Sequence, residues 1–240
     1  PDERVGRRAS EPSCCGAEGM TEHDHVLMDE SAARSALSSL YPQAVKQLSL
    51  YVDILLNEGL TWGLLGPREG ERVWTRHIAN SIALVDAIPE GLRVADIGSG
   101  AGLPGIPVAL ARPDLRVTLV EPLQRRAEFL QLAVGRLQVE DRVTVVRSRA
   151  EELATELNAS ALFDVVTCRA VAPLTKLLGW TANLFLPDGQ LLALKGLSAE
   201  QEVAKASKIL AKRRCSAEIV ELTLPHGLEG TRAVRVRRTQ

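Results

Sequence analysis

Apolar runs long enough to span a bilayer are missing from this 240-residue chain, so no membrane association is expected. Its opening residues also lack the apolar core of a secretory signal. Neither sign of charge prevails, with 29 Lys and Arg against 30 Asp and Glu. That balance excludes a global attraction to polyanions, and a nucleic-acid partner would have to be met by a local basic patch. The four cysteines, Cys14, Cys15, Cys168 and Cys215, lack the paired spacing of a zinc site or a redox motif. A bridge between the adjacent Cys14 and Cys15 would be strained, and a reducing, cytoplasmic setting is expected. His23, Asp24 and His25 are read as a solvated charge cluster, so no metal is expected.

What the chain has is a glycine-rich junction. Arg93–Ile97 is a short apolar run of the kind that forms a buried parallel strand, and Gly98, Gly100, Gly102 and Gly105 follow it. After Pro104 the apolar pattern resumes in helical register. Strand, glycine turn and helix in that order place a small-molecule pocket at the carboxyl end of a sheet's first strand. Gly100-x-Gly102-x-x-Gly105 satisfies the dinucleotide fingerprint, which keeps a nicotinamide-dependent oxidoreductase in view. Asp96 speaks against it, because a carboxylate at the mouth of the strand would repel a pyrophosphate. S-adenosylmethionine carries no phosphate and brings positive charge, which suits an acidic rim. Glu121 ends the next apolar run, Val117–Val120, where an acid can accept from both ribose hydroxyls. Stripped of function, the same residues are a strand turn with two exposed acids.

Residues 1–30 are polar and aperiodic and read as a flexible tail. Residues 31–90 read as a helical cap: one helix from Pro42 to near Gly59, a loop over Trp62–Gly70, and a second amphipathic helix over Glu71–Ile88. His77 in that second helix is either a satisfied, partly buried imidazole or a substrate contact. Residues 91–240 alternate strand and helix, with strands near 117–120, 143–146, 163–168 and 190–194, then a closing antiparallel pair at 217–223 and 232–237. The fold class is therefore α/β, with a seven-stranded, mostly parallel sheet, helices on both faces and a Rossmann-like winding. The loop holding Ala150 and Glu151 falls where an adenine edge would lie.

Marks of two methyl-transfer chemistries are absent. The segment after the fourth strand, Cys168-Arg169-Ala170-Val171-Ala172-Pro173, lacks the acid or Asn, prolines and aromatic of exocyclic amine methylation. Cys168 has no adjacent base or proline to make it a nucleophile and reads as a small buried hydrophobe. Arg169 and Lys195 remain, at neighbouring strand ends that open on the binding crevice. They suit an RNA phosphate or a purine O6; the plain alternative is structural ion bridges, for example Arg169 with Glu151. The basic residues of the last helix and strand, Lys205, Lys208, Lys212, Arg213, Arg214, Arg235, Arg237 and Arg238, read as an RNA footprint or a solvated face.

Over roughly residues 43–240 the chain resembles the small-subunit (16S) ribosomal RNA guanine-N7 methyltransferases, once called glucose-inhibited division protein B. The resemblance rests on Arg76-His77-Ile78-Ala79-Asn80-Ser81, Asp96-Ile97-Gly98-Ser99-Gly100-Ala101-Gly102-Leu103-Pro104-Gly105-Ile106-Pro107, Arg125-Arg126-Ala127-Glu128-Phe129-Leu130, Arg149-Ala150-Glu151-Glu152, Cys168-Arg169-Ala170 and Leu194-Lys195-Gly196. It implies a class I methyltransferase fold, S-adenosylmethionine as donor, and a guanine of the 530 loop as acceptor. It implies Gly98, Leu103, Ala150, Glu151 and Arg169 as donor or pocket contacts, beside Asp96, Gly100, Gly102 and Glu121 from the residues themselves. Arg169 and Lys195 are the catalytic candidates; Arg76, His77, Arg125, Arg126 and Lys195 are the substrate-binding ones. The chain departs from the family pattern at Asn80, where Asp is usual, and at Trp62–Pro67; both departures lie in the cap and bear on substrate contacts. The partner expected is 16S rRNA or the small subunit, met by a monomer. Competing with this are a methyltransferase of a protein or small molecule and an RNA-binding module with a relic pocket.

Overall fold

A parallel strand covered on both sides must be apolar at every position, while its pleat sends successive side chains to opposite layers. The parallel strands of this chain alternate in this way and are largely apolar, with the buried Asp96 and Thr167 as exceptions. The computed structural model describes residues 22–156, 162–225 and 228–239. In it β1 (Arg93–Ile97), β2 (Arg116–Val120), β3 (Val143–Val146), β4 (Val165–Arg169), β5 (Gln190–Leu194), β6 (Cys215–Leu222) and β7 (Thr231–Arg238) form one sheet in the order β3-β2-β1-β4-β5-β7-β6. The first five pair in parallel, and β7 is antiparallel to both β5 and β6. Val94, Val117, Leu119, Val165 and Leu192 point into one buried layer; Ala95, Ile97, Val120, Val166 and Leu191 point into the other.

On the first face lie α1 (Glu22–Leu40), α2 (Val45–Ile54), α3 (Ala79–Ile82), α4 (Gly105–Ala111) and α5 (Gln124–Leu137); on the second lie α6 (Ala150–Glu156), α7 (Leu174–Phe185) and α8 (Ala199–Arg213). Every residue of α4 is buried between cap and sheet. Gly105 begins it because a Cβ there would sit 2.4 Å from Leu119 Cδ2 and 2.8 Å from Asp96 Oδ2.

The cap differs from its sequence reading. The first of its helices starts at Glu22 and crosses the boundary drawn at residue 30, while residues 1–21, with Cys14 and Cys15, lie outside the described residues, as do the side chains of His23, Asp24 and His25. The helix expected over Glu71–Ile88 is a string of short turns: a 3-10 turn at Pro67–Arg72, a π turn at Val73–Ile78, α3, and a 3-10 turn at Val85–Ala87. A tertiary contact sets that geometry. Glu30 of α1 accepts the backbone N–H groups of Trp74 and Thr75, at 2.7 and 2.8 Å, and so supplies from outside the acceptors that a local cap would provide.

Arg112, at the end of α4, ties the cap to the sheet. Its guanidinium donates to the carbonyls of Val85, Ile88 and Pro89 and to the carboxylate of Asp114. The hydrogen bonds from Arg112 hold the Asp114 carboxyl well below the usual carboxylate range. Arg112→Ala should therefore cost about 2–3 kcal/mol in urea unfolding. Because Asp114 is depressed in the folded state, the stability of this pair is complete above about pH 4 and is lost as pH falls further; the gap between wild type and Arg112→Ala should narrow on acidification.

Candidate active site

The chain leaves β1 through a loop that only glycine accommodates. Gly98, Gly100 and Gly102 have φ of +66°, +57° and +98°, a region costly for any residue with a Cβ. Three side chains from three elements hold this loop. Asp96 Oδ2 accepts the N–H of Gly105 at 3.1 Å. Glu121, at the tip of β2, accepts the N–H of Gly100 on Oε2 and that of Leu123 on Oε1, both at 3.0 Å. The Tyr51 hydroxyl of α2 donates to the carbonyl of Ala101 at 2.7 Å.

Above the loop opens a cavity of about 680 Å³, lined by Gly98, Ser99, Gly100, Ala101, Leu103, Glu121, Arg126, Arg169 and, from the cap, Leu64, Leu65, Glu69 and His77. A second lobe of about 340 Å³ continues from it past Gly98 and Pro122 to Ser148, Arg149, Ala150, Glu151 and Trp180. On the other side, sharing Arg169, Ala170 and Val171, a cleft of about 550 Å³ runs between Arg76, Asn80, Lys195, Gly196 and Thr231. Ala170, the residue between these spaces, is held at φ +54°, the kind of non-glycine outlier that concentrates at working sites.

Asp96 is not part of the rim. It is completely buried, on the α4 side of the sheet beneath the loop, and does not line the cavity. Its position on β1 follows that of Val94 by two residues, so the pleat aims it into the layer under the loop rather than out of the strand end. Burial pushes its carboxyl up to about 7. The acids that do face the cavity are Glu121 and Glu69.

His77 is buried between cap and core. Its Nδ1 lies 2.7 Å from Arg169 Nη2 and its Nε2 lies 2.7 Å from Glu69 Oε2, the latter without hydrogen-bond alignment. An arginine can only donate, so Nδ1 accepts and the ring proton sits on Nε2. Burial, reinforced by the Arg169 charge, lowers the His77 imidazole to about 4, and it is neutral at pH 7.

The remaining sequence candidates divide sharply. Arg126 and Leu103 line the main cavity, and Ala150 and Glu151 line its second lobe. Gly102 does not reach the cavity; its place beside Ile106 and Tyr51 leaves no room for a Cβ. Arg125 lies 6.0 Å from the ring of Trp62 and braces the cap. Arg169 is not bridged to Glu151. Lys195 lines the neighbouring cleft, yet its side chain is only 7% exposed, pairs with Glu202 at 2.8 Å and donates to the carbonyl of Ala172; it fastens β5 to α8 instead of standing free at the strand tip. Arg235 and Arg237 share Glu218, and Arg232 pairs with Glu200 and Glu221, so three of the four arginines of the last strand are engaged in ion pairs. Cys168 is buried, and burial pushes its thiol up to about 12, far from nucleophile chemistry. Sequence reading misses Glu69, hidden in a Pro/Gly-rich segment that reads as a loop, and Tyr51, which reads only as part of an apolar stripe. Among the described residues, no group of three or more His, Cys, Asp or Glu side chains could hold a metal, and no helix is long and apolar enough to cross a membrane.

The family model described as rRNA small subunit methyltransferase G matches residues 44–231. The chain belongs to this family. Ribosomal RNA small subunit methyltransferase G of Nocardioides sp. is 49% identical over 187 residues, covering 78% of this chain and 73% of that protein. The protein of the same name from Mycolicibacterium smegmatis is 49% identical over 179 residues, covering 75% of each chain, and that from Thermobifida fusca 47% over 195 residues, covering 81% and 77%. Membership in the methyltransferase G family makes the chain a methyltransferase. Among solved structures, the O-methyltransferase from Bacillus cereus in complex with SAH superposes with a TM-score of 0.53 at 16% identity, over 78% of this chain and 90% of that one. The B. subtilis M1A22 tRNA methyltransferase TrmK does so with 0.51 at 12% identity, over 67% and 66%. At such identity these likenesses concern the fold, which is that of class I methyltransferases.

Two outcomes follow from the site geometry. An NMR titration should find His77 as the Nε2–H tautomer, with no protonation above about pH 5.5. Lys195→Ala removes one of three donors to the partly exposed Glu202 carboxylate, which keeps the Leu174 N–H and the Ser198 hydroxyl, and should cost about 1–2 kcal/mol in denaturant unfolding.

Proposed function

We propose that this protein transfers a methyl group from S-adenosylmethionine to N7 of a guanine in the 530 loop of 16S rRNA. The observation that carries the donor is the pair of connected lobes beside the glycine loop. Gly100 faces open space there, the atom nearest a Cβ at that position being 3.9 Å away, while the Glu121 carboxylate, which lines the main cavity, is fixed by two backbone N–H groups. A nucleoside with no phosphate fits such a site: Glu121 accepts from the ribose hydroxyls, Ala150 and Glu151 meet the adenine edge, and the loop and Arg169 receive the amino-acid end. The buried Nη1 of Arg169 has no hydrogen-bond partner, which leaves a cationic donor for that end. Bound there, the donor supplies a methyl group made electrophilic by its sulfonium.

The acceptor is supported by the family and is consistent with the chemistry of guanine N7. Guanine N7 carries a lone pair and no proton at neutral pH, so no residue need act as base. His77 is occupied on one side by Arg169 and held at low basicity, and Cys168 is buried, so neither the imidazole nor the thiol serves as one. The residues position the two reactants and exclude water. The cleft that shares Ala170 and Val171 with the main cavity is the seat for the acceptor base. Arg76, 54% exposed along that cleft, faces the flanking phosphate.

The test is incubation of the protein with labelled S-adenosylmethionine and small subunits that lack the modification, followed by mapping of the methylated nucleotide. Label at N7 of one guanine of the 530 loop is expected. Label confined to protein or small molecules, or at another position of the RNA, overturns the reading. Arg76→Ala should raise KM for the subunit several-fold and leave donor affinity unchanged.

A further inference from the structure

Resting on that reading of the donor, we propose that Glu69 is the counter-charge for the ammonium group of the donor's amino-acid end, set opposite Arg169, which takes the carboxylate. Both residues line the main cavity. They are joined through one ring: Arg169 Nη2 and Glu69 Oε2 each lie 2.7 Å from a nitrogen of His77. The His77 ring lies between the cationic and the anionic group, and an α-amino acid carries one charge for each of them. The two groups also have capacity left. Arg169 Nη1 is buried without a partner. The Glu69 side chain is 37% exposed, and its other charged neighbour, Arg76, stands 3.8 Å away in a loose contact. The same ring stands between Glu69 and Arg169, so the two are not paired with each other.

This assignment also gives the cap a direct part in donor recognition, since Glu69 comes from the turn that follows Gly66 and not from the sheet. Glu121 marks the ribose side of the cavity; on the cap side, Glu69 is the carboxylate among the lining residues. S-adenosylhomocysteine, which lacks the sulfonium, should depend on Glu69 as strongly as the donor does, because the charge recognised is on the amino group.

Calorimetric titration of wild type and Glu69→Gln with three ligands tests this: S-adenosylhomocysteine, its deaminated analogue, and 5′-methylthioadenosine, which has no amino-acid end. The expected result is a loss of about tenfold or more for S-adenosylhomocysteine, with affinities for the other two unchanged. Unchanged methylthioadenosine binding shows that the variant keeps its adenosine pocket. Equal losses for all three ligands would assign Glu69 to cap packing and overturn the proposal. So would a Glu69→Gln protein that binds S-adenosylhomocysteine within about twofold of wild type. Failure of the wild-type protein to bind S-adenosylhomocysteine at all would instead sink the donor reading from which the proposal starts.

Discussion

Three hydrogen bonds to one glycine loop decide the shape of this protein's working end. The loop from Gly98 to Gly105 takes a left-handed path that its sequence permits but does not by itself select. Selection comes from Asp96 beneath, Glu121 beside and Tyr51 from the cap, each bonded to a different peptide unit of the loop. A buried acceptor or donor left without its partner is expensive, so loop, second strand and cap must arrive in register together. Once they do, the floor of the space over the loop is fixed.

Much of the fold could be read from the chain because its sheet is parallel and doubly covered. Such strands are continuous apolar runs, and β2, β3 and β5 were recognisable to within a residue of their ends. The antiparallel closing pair followed from a connection too short for a helix, and β7 lies between β5 and β6 accordingly. The cap was less legible. Its turns over residues 67–88 are shaped by Glu30, more than forty residues away, and no local pattern encodes a cap supplied from another helix.

The site divides along the same line. Position along the chain led to Glu121, Arg169, Ala150 and Glu151, which line the two cavities, because the end of a strand is a topological address. Direction was harder. Asp96 and Lys195 both sit at strand ends, yet one points under the loop and the other into α8. The expectation of an acidic rim thus names the wrong acid at one of its two positions: the rim is Glu121 with Glu69. The last strand shows a related effect. Its arginines look like a basic face in sequence, but cross-strand pairing with Glu218 is visible only once the register of β6 on β7 is known.

The cap contributes Tyr51 to the glycine loop, and Glu69 and His77 to a cavity whose floor belongs to the sheet. Docking of the cap and completion of the cavity are therefore one thermodynamic event. Whatever fills the cavity gains contacts that vanish if the cap lifts, so occupancy must suppress local opening of the N-terminal helices. Conversely, every substitution that loosens α2 or the Pro67–Ile78 turns acts as a weak competitor of the ligand, even when it touches nothing inside the cavity. Cap and sheet behave as a single cooperative body in which binding strength is also a measure of how firmly the lid is seated.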